Sequence, residues 1–290
     1  MQQNKPDEAR PVYERLEALA REKKLPAGAF GTAELKARLL EVTGAGDQAV
    51  ALLKAHGARA GARPDEVLLP IQSLTRQKRY DTALELMEQA WQTKCPPDVL
   101  AGAHVALLRT ANLTGAPLAR AERLVRAAVE SAPKNVGLLM ALAGLQDQAG
   151  RFEEAEASYR RLLAADENDP RALNNLAWLL ALHGRKGAEA LPLIQRAIEQ
   201  FGPRPDLLDT RALVYLALEQ PDKARADLKA SIADTPSANR YLHLARVCQM
   251  TDDAQGTAAA LREARALGLK RAQLHPVEVA ACTKLLEGVE

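Results

Sequence analysis

Aromatic residues and cysteines are scarce in this chain of 290 residues. Phe, Trp and Tyr together make up 3% of the sequence, whereas Ala and Leu are abundant and β-branched residues sparse. This composition favours helices that pack through small side chains over sheets. Cys95, Cys248 and Cys282 are odd in number and far apart, so they indicate neither a disulfide framework nor a paired-cysteine metal site. We expect an all-α protein whose thiols are inert.

The sequence also lacks an excess of one charge and a long apolar run. Its 39 basic and 37 acidic residues leave a net charge of +2, and no long run of one sign could follow a phosphate backbone. The polar stretch Met1 to Arg10 has no apolar core of the kind that a signal peptide needs, and no stretch approaches the roughly 18 apolar residues of a membrane-spanning helix. We expect a soluble, cytoplasmic protein that binds no nucleic acid and does not insert into membranes.

What the chain does contain is an internal repeat. A small residue stands four positions before a large apolar residue in five places, at steps of 34, 35, 34 and 33 residues. These pairs are Ala121 with Val125, Ala155 with Tyr159, Ala190 with Ile194, Ala224 with Leu228, and Thr257 with Leu261. A second row follows seven residues after each first member, at Ala128, Leu162, Ala197, Ser231 and Ala264. Two rows of the same period predict one helix in each repeat.

A second helical pattern lies upstream in each repeat. It consists of Leu139 with Leu142 and Ala143, Leu173 with Leu176 and Ala177, Leu208 with Ala212, and Leu242 with Leu244 and Ala245. Turn-forming residues separate the two patterns at 149–151, 183–185 and 220–222, and Pro133 and Pro236 close two of the repeats. Each repeat is therefore predicted to be a helix, a tight turn and a second helix.

This pattern resembles the tetratricopeptide repeat (TPR), bacterial type, which places a large residue, Leu-Gly, an aromatic residue, a small Ala and a closing Pro over about 34 residues. The leading Trp of the family is Leu here, its Gly is Ala, its first aromatic remains only as Tyr215, and Arg211 replaces an expected Leu. The resemblance implies a right-handed α-solenoid of stacked antiparallel helix pairs. It also implies a non-catalytic scaffold or adaptor that binds a protein or peptide partner.

The array is predicted at residues 64–269, as about six units with an insertion near 112–117. Residues 32–63 fit one degenerate repeat and a linker, and residues 1–31 fit an N-terminal helix, over Glu8 to Lys24, and a linker. Residues 270–290 are predicted to form a capping helix, because the last repeat would otherwise expose its apolar face. An N-terminal helix folded into the groove is one hypothesis for an off-state.

In a solenoid of this type the first helices line the concave groove, and their side chains not used in packing should meet a ligand. The predicted peptide-binding residues are Asn174, Asn175, Trp178, Asp209, Thr210, His243 and Arg246. Asn offers donors and acceptors for an extended backbone, Trp178 offers apolar area, and Arg246 could meet a carboxylate. The alternative is structural: Asn175 bonds to neighbouring helices and Trp178 fills core space. A clamp for carboxylate-terminated tails is disfavoured because basic residues are missing beside Asn175.

No enzyme, cofactor or metal is predicted. The five His residues are distant from one another in sequence without metal-ligand spacing, and the stretch 183–187 lacks the full phosphate-loop pattern. An interaction scaffold is favoured, a regulatory or substrate-docking subunit of a separate enzyme such as a kinase or transferase is the alternative, and self-association into a homo-oligomer is possible.

Overall fold

A computed structural model describes residues 30–59, 68–92, 115–183, 186–271 and 274–287, together with residues 11, 15, 62, 63, 66, 96, 99, 100, 107 and 113. Within these ranges the regular secondary structure is helical, and no strand is found. The predicted all-α class is confirmed. The helix predicted at 8–24 lies outside the described residues except for positions 11 and 15. Of the insertion predicted at 112–117, residues 113 and 115–117 are described, and 115–117 already belong to the helix Gly115–Ser131.

The chain divides into two compact units, residues 1–145 and 146–290. The first unit contains helices α1 (Phe30–Val42), α2 (Gly46–Gly57), α3 (Leu69–Arg76), α4 (Tyr80–Gln92), α5 (Gly115–Ser131) and α6 (Val136–Gln148), the last of which runs past the boundary. Consecutive helices from α1 to α5 pack on one another, and α1 also contacts α3. Two neighbouring pairs therefore stack over the segment predicted to be a degenerate repeat and the start of the array.

A buried polar link holds the first two pairs together. The carboxylate of Glu41 in α1 accepts hydrogen bonds from Ser73 Oγ at 2.5 Å and from Arg76 Nε and Nη2 at 2.8 and 2.7 Å, both residues in α3. Beside it lies a small apolar core of Ala37, Ala49, Leu53 and Leu69. Such a two-pronged Arg–carboxylate contact fixes geometry as well as adding energy.

The second unit begins within α6 and contains α7 (Phe152–Ala165), α8 (Pro170–Leu182), α9 (Gly187–Phe201), α10 (Pro205–Ala217), α11 (Pro221–Asp234), α12 (Ala238–Met250), α13 (Ala254–Ala266) and the short α14 (Pro276–Ala281). The strongest packing occurs within the pairs α8–α9, α10–α11 and α12–α13. The first helices also contact each other, α8 with α10 and α10 with α12. The second helices α9 and α11 also contact the first helix of the following pair, so each pair packs on the next through both of its helices.

The repeated small residues form the seams of the second helices. Ala155, Ala190 and Ala224 are fully buried, and so are the large residues four positions later, Ile194 and Leu228 among them. A methyl side chain lets two helix backbones approach closely, and the large residue fills the space beside it. In the last repeat Thr257 and Leu261 are only half-buried, because no further pair stacks beyond α13.

The turns inside five of the helix pairs contain a residue in the left-handed region. These residues are Gly44, Lys78, Gly150, Glu219 and Asp252, with φ between 53° and 84°. One such residue reverses the chain after a helix and lets the second helix start at once. Glycine adopts this conformation without a side-chain penalty, yet Lys78, Glu219 and Asp252 adopt it as well. The left-handed residue was predictable at Gly150 from its residue type. It was not predictable at Glu219 and Asp252 in the last two repeats, where tertiary packing imposes this conformation.

Arg211, which departs from the family pattern, lies between the two helices of its own pair. Its Nε and Nη2 both donate to the buried carboxylate of Asp227 in α11 at 2.7 Å. Hydrogen bonding to Asp227 raises the pKa of the Arg211 guanidinium. An ion pair here replaces the apolar contact that a Leu would make, and this explains the substitution.

Candidate functional site

The first helices of the second unit place four of the predicted binding residues on one surface. Trp178 lies on α8, Asp209 on α10, and His243 and Arg246 on α12. Asp209 and His243 are 34 residues apart, one repeat, so they occupy equivalent positions on adjacent first helices. Trp178 and Arg246 are two repeats apart in the same register. We call the surface formed by these four residues the inner face.

Residues 274–287, which we call the C-terminal segment, pack against this face. Helix α14 contacts α8, roughly one hundred residues earlier in the chain. The apolar residues of the segment join α12 and α13 in one buried cluster that includes Leu242, Ala245, Ala260, Ala264, Leu274, Cys282, Leu285 and Leu286. The segment thus caps the last pair, as predicted for this part of the fold, and also extends back across the first helices.

His243 is the centre of a buried charge network. Its side chain is 1% exposed, its Nδ1 lies 2.8 Å from Asp209 Oδ1, and its Nε2 lies 3.1 Å from Glu278 Oε1 of the C-terminal segment. Burial alone would lower the pKa of His243, but the two carboxylates outweigh it and raise the pKa to about 9. Burial acts to raise the pKa of Glu278, but the hydrogen bond with His243 prevails and lowers it. At neutral pH a protonated imidazolium therefore donates to both carboxylates.

His275 begins α14 and lies over the aromatic part of the inner face. Its Nδ1 accepts from the Val277 N–H at 3.4 Å, while the Glu278 carboxylate accepts from the His275 N–H at 3.2 Å. This reciprocal capping box defines the start of the helix. The ring packs edge-on against Trp178 with centroids 4.9 Å apart. Because Nδ1 accepts a hydrogen bond, the ring proton of the neutral form is assigned to Nε2.

Asp147, near the end of α6, faces the same histidine. Its Oδ1 lies 3.5 Å from His275 Nε2, and neither atom has a hydrogen-bond partner among the described residues. Burial raises the pKa of Asp147 to about 6, although the charge of His275 opposes the shift. The C-terminal segment thus makes two carboxylate–histidine contacts, one with His243 of the inner face and one with Asp147 of α6, and only the one with His243 is well formed.

A cavity of about 640 Å³ opens beside α14 at the far ends of the first helices. Its wall is formed by Phe152, Ala181, Leu182, His183, Leu213, Leu216, Ala217, Glu219, Arg246, Gln249, Met250, Val277, Ala280 and Ala281. Arg246 Nη1 is buried and has no hydrogen-bond partner within the described part of the chain. Met250, on the rim of the cavity, is 46% exposed. The cavity wall combines apolar side chains with polar ones, Glu219 and Gln249 among them. Arg246 adds a cationic donor that is unpaired within the described residues, which suits an anionic group on an apolar stem.

The other predicted residues are used differently. Asn174 Nδ2 donates to Asn175 Oδ1, and Asn175 Nδ2 donates to the Tyr159 hydroxyl, both at 3.3 Å. Thr210 is buried. These contacts agree with the structural alternative for Asn175, since its amide joins α8 to α7. Trp178, in contrast, meets the C-terminal segment.

Sequence reasoning missed Asp147, Phe152, His275 and Glu278. One usable signal was present: Asp209 and His243 are oppositely charged residues one repeat apart on first helices, which is the spacing of side-by-side neighbours. Nothing comparable marked Glu278, because its partner depends on where the segment folds back. Within the described ranges, no group of three or more His, Cys, Asp or Glu could hold a metal ion. None of the described helices has the length and apolar character needed to cross a bilayer.

Comparison with known proteins agrees with this architecture. A family model for the tetratricopeptide repeat matches residues 118–179. A solved tetratricopeptide repeat protein from Parabacteroides merdae has a TM-score of 0.60 at 17% identity, covering 87% of this chain and 95% of that chain. The chain is a tetratricopeptide repeat protein. The human IFIT1 dimer with m7Gppp-AAAA also shares the TPR fold, with a TM-score of 0.53 at 16% identity over 89% of this chain and 63% of that chain.

Two curated relatives share more sequence with this TPR protein. Cellulose synthase operon protein C of Pseudomonas fluorescens is 33% identical over 220 residues, which are 68% of this chain and 16% of that protein. The protein of the same name from Xanthomonas axonopodis pv. citri is 32% identical over 206 residues, 66% of this chain and 14% of that protein. The chain therefore spans a small part of the length of these relatives.

Proposed function

We propose that this TPR protein is a non-catalytic scaffold whose second unit binds a segment of a protein partner at the inner face and in the adjoining cavity. One observation at Arg246 carries the proposal. Arg246 belongs to the wall of the cavity, and its buried Nη1 has no hydrogen-bond partner among the described residues. A buried donor without a partner is costly. A partner carboxylate would satisfy it, and the apolar side chains of the wall, such as Leu213, Leu216 and Val277, would hold the stem that bears the carboxylate.

The predicted groove residues take different parts in this proposal. Trp178 and His243 contact the chain's own C-terminal segment, and Asp209 is bonded to His243. Arg246 is therefore the residue offered to a partner in the described arrangement. Asn174 and Asn175 are bonded to each other and to Tyr159, and Thr210 is buried, so these three residues have structural roles in this proposal. Cytoplasmic location, absence of nucleic-acid binding and self-association remain predictions from the sequence.

A docking subunit of a separate enzyme is the second candidate. The relatives at 33% and 32% identity are named as products of cellulose synthase operons, which favours a transferase over a kinase as the enzyme served. The inner face would then hold a segment of that enzyme. The two candidates share one binding surface and differ in the identity of the partner.

Site-specific photo-crosslinking tests the proposal. A photo-reactive residue at Met250, on the cavity rim, should capture a partner that the same residue at Lys229, exposed on α11, does not capture. The captured protein is then purified and its affinity measured. We expect Arg246→Ala to weaken binding at least about tenfold, because a charge-assisted hydrogen bond contributes about 1.5–3 kcal/mol.

Arg262→Ala is the matched control, since Arg262 is exposed on α13. It should leave the affinity unchanged. Equal capture at Met250 and Lys229, or equal affinities of the two Arg→Ala variants, would contradict the cavity as the binding site. If the partner is a transferase whose activity changes when the complex forms, the second candidate is favoured over a passive scaffold.

A further inference from the structure

The C-terminal segment contacts more of the molecule than a cap requires. Capping α12 and α13 is achieved by its apolar residues, which belong to the buried cluster of those helices. Two polar residues of the segment go further: Glu278 bonds to His243, and His275 lies against Trp178 and beside Asp147. Covering the last pair needs neither contact with α6 nor contact with α8. These additional contacts coincide with the inner face.

We infer that residues 275–281 are an intramolecular ligand of the inner face, and that the partner segment replacing them is a short acidic helix whose glutamate takes the position of Glu278 beside His243. The second half of this inference rests on the proposed function, because it names the chemistry of the partner. The first half concerns only the chain itself.

The chemistry of the site selects a carboxylate. His243 is almost fully buried, and Asp209 occupies its Nδ1. The other ring nitrogen, Nε2, therefore presents one hydrogen-bond donor to the side chain that covers it. A neutral apolar side chain there would leave the donor unpaired, and a cationic one would be repelled. A carboxylate satisfies both the hydrogen bond and the charge.

The geometry of the segment selects a helix start. Glu278 is the third residue of α14, with Pro276 at the first position and His275 as the N-cap. In a capping box the glutamate side chain turns back toward the N-cap, and here one carboxylate oxygen bonds to the His275 N–H while the other bonds to His243. The first turn of a helix favours an acidic residue through its dipole. A partner helix of the same pattern would present its carboxylate in the same way.

The stretch 275–281 is short enough to be exchanged. Helix α14 has six residues, of which Ala280 and Ala281 are exposed, and the stretch packs through the apolar side chains of Val277 and Val279. The buried ion pair adds specificity more than net stability, because desolvation offsets much of the Coulomb attraction. Both flanks, at Leu274 and Cys282, stay in the apolar cluster. The stretch between them can therefore open locally while α12 and α13 remain folded.

A synthetic peptide tests whether the segment is a ligand. The probe is the labelled peptide of residues 274–287, compared with the same peptide carrying Glu278→Gln, under reducing conditions. Fluorescence anisotropy measures binding to the full chain and to the full chain with Glu278→Gln, in which the internal ligand is weakened while His243 is kept. We expect the variant chain to bind the unmodified peptide at least about tenfold more tightly than the wild type does, because a less occupied site raises apparent affinity.

The control chain carries Glu287→Gln, because Glu287 is an exposed glutamate of the same segment. It should bind like the wild type, and the Gln peptide should show no gain with any chain. Equal affinities for all three chains, or the same gain for both peptides, would overturn the inference. Hydrogen exchange of the wild type provides a test that needs no variant: excess peptide should speed exchange at 277–281 while α12 stays protected. Unchanged exchange there would overturn the inference as well.

Failure of this inference is distinguishable from failure of the proposed function. If a partner crosslinks at Met250 and binds the wild type and Glu278→Gln chains equally, the scaffold proposal stands and the exchange of the segment is wrong. If the peptide exchanges but no partner crosslinks at Met250, the segment is a ligand and the cavity proposal is wrong.

Discussion

Replacing His243 by Leu removes the cation that lies between the buried carboxylate of Glu278 and the half-buried carboxylate of Asp209. The pKa of His243 rises from 6.5 to about 9 on folding, which corresponds to roughly 3 kcal/mol at about 1.4 kcal/mol for each pKa unit. Breaking a buried ion pair by removing one partner costs about 3–5 kcal/mol. Because Glu278 is 7% exposed at its side chain, little solvent screening reduces this value. We therefore expect a loss of roughly 3 kcal/mol at neutral pH.

The direction of the pH dependence follows from the raised pKa. A histidine whose folded pKa exceeds its unfolded pKa contributes its full stabilisation below the unfolded value and loses it as pH rises through the folded value. For His243 this window runs from 6.5 to about 9. The wild type should lose stability over that window through this residue, and the His243→Leu variant should lack that loss.

Urea unfolding followed by circular dichroism, at several pH values between 6 and 10, measures both effects. Thermal melts should give a midpoint lower by roughly 6–12 °C for the variant at pH 7, since 1 kcal/mol shifts the midpoint by about 2–4 °C in a protein of 150–250 residues. His183→Leu is the control, because His183 is 37% exposed and its partner Glu153 is 84% exposed. Its effect should stay within about 0.5 kcal/mol. Equal losses in the two variants, or a pH dependence retained in His243→Leu, would refute the reasoning.

Three further predictions concern other parts of the molecule. Asp147→Asn should raise the melting temperature at pH 7.5, because the pKa of Asp147 is raised to about 6 and its ionised form is disfavoured by burial. Melts at pH 3.5, where the carboxyl is neutral in the folded state and mostly neutral in the unfolded state, should show a much smaller difference. Gly187→Ala should lower the free energy of unfolding by about 1–3 kcal/mol, since a Cβ would lie 2.8 Å from the side chain of Leu218. Gly144→Ala, with open space around its Cβ, should raise the free energy of unfolding by about 0.5–1 kcal/mol in the same urea titrations. Arg211→Met should lower the unfolding free energy by about 1–3 kcal/mol by leaving the buried carboxylate of Asp227 unpaired, and adding Asp227→Leu should recover most of that loss.

The repeat architecture was predictable from the sequence because its cause is local. A small residue four positions before a large one sets the seam of a second helix, and the burial of Ala155, Ala190 and Ala224 follows directly from that spacing. The same period predicts which residues of successive first helices are neighbours. Asp209 and His243 could have been paired on that ground alone.

The non-glycine turns were less predictable. Glu219 and Asp252 have positive φ, a conformation that Glu disfavours and that Asp adopts more readily than most non-glycine residues. The stacked pairs impose it, because both helices must pack along their length. Arg211 likewise departs from the family's pattern, and Asp227, 16 residues later in the opposite helix, explains it.

By itself, the sequence determined the helix pairs, their period and the register of their faces, since all of these depend on residues within one or two repeats of each other. Only the tertiary structure decided that the C-terminal segment lies across the inner face. Its contacts with α6 and α8 join residues roughly one hundred or more positions apart. Neither a helical period nor a repeat period specifies such a contact. It forms because Glu278 and the apolar cap reach His243 and the last helix pair at the same time.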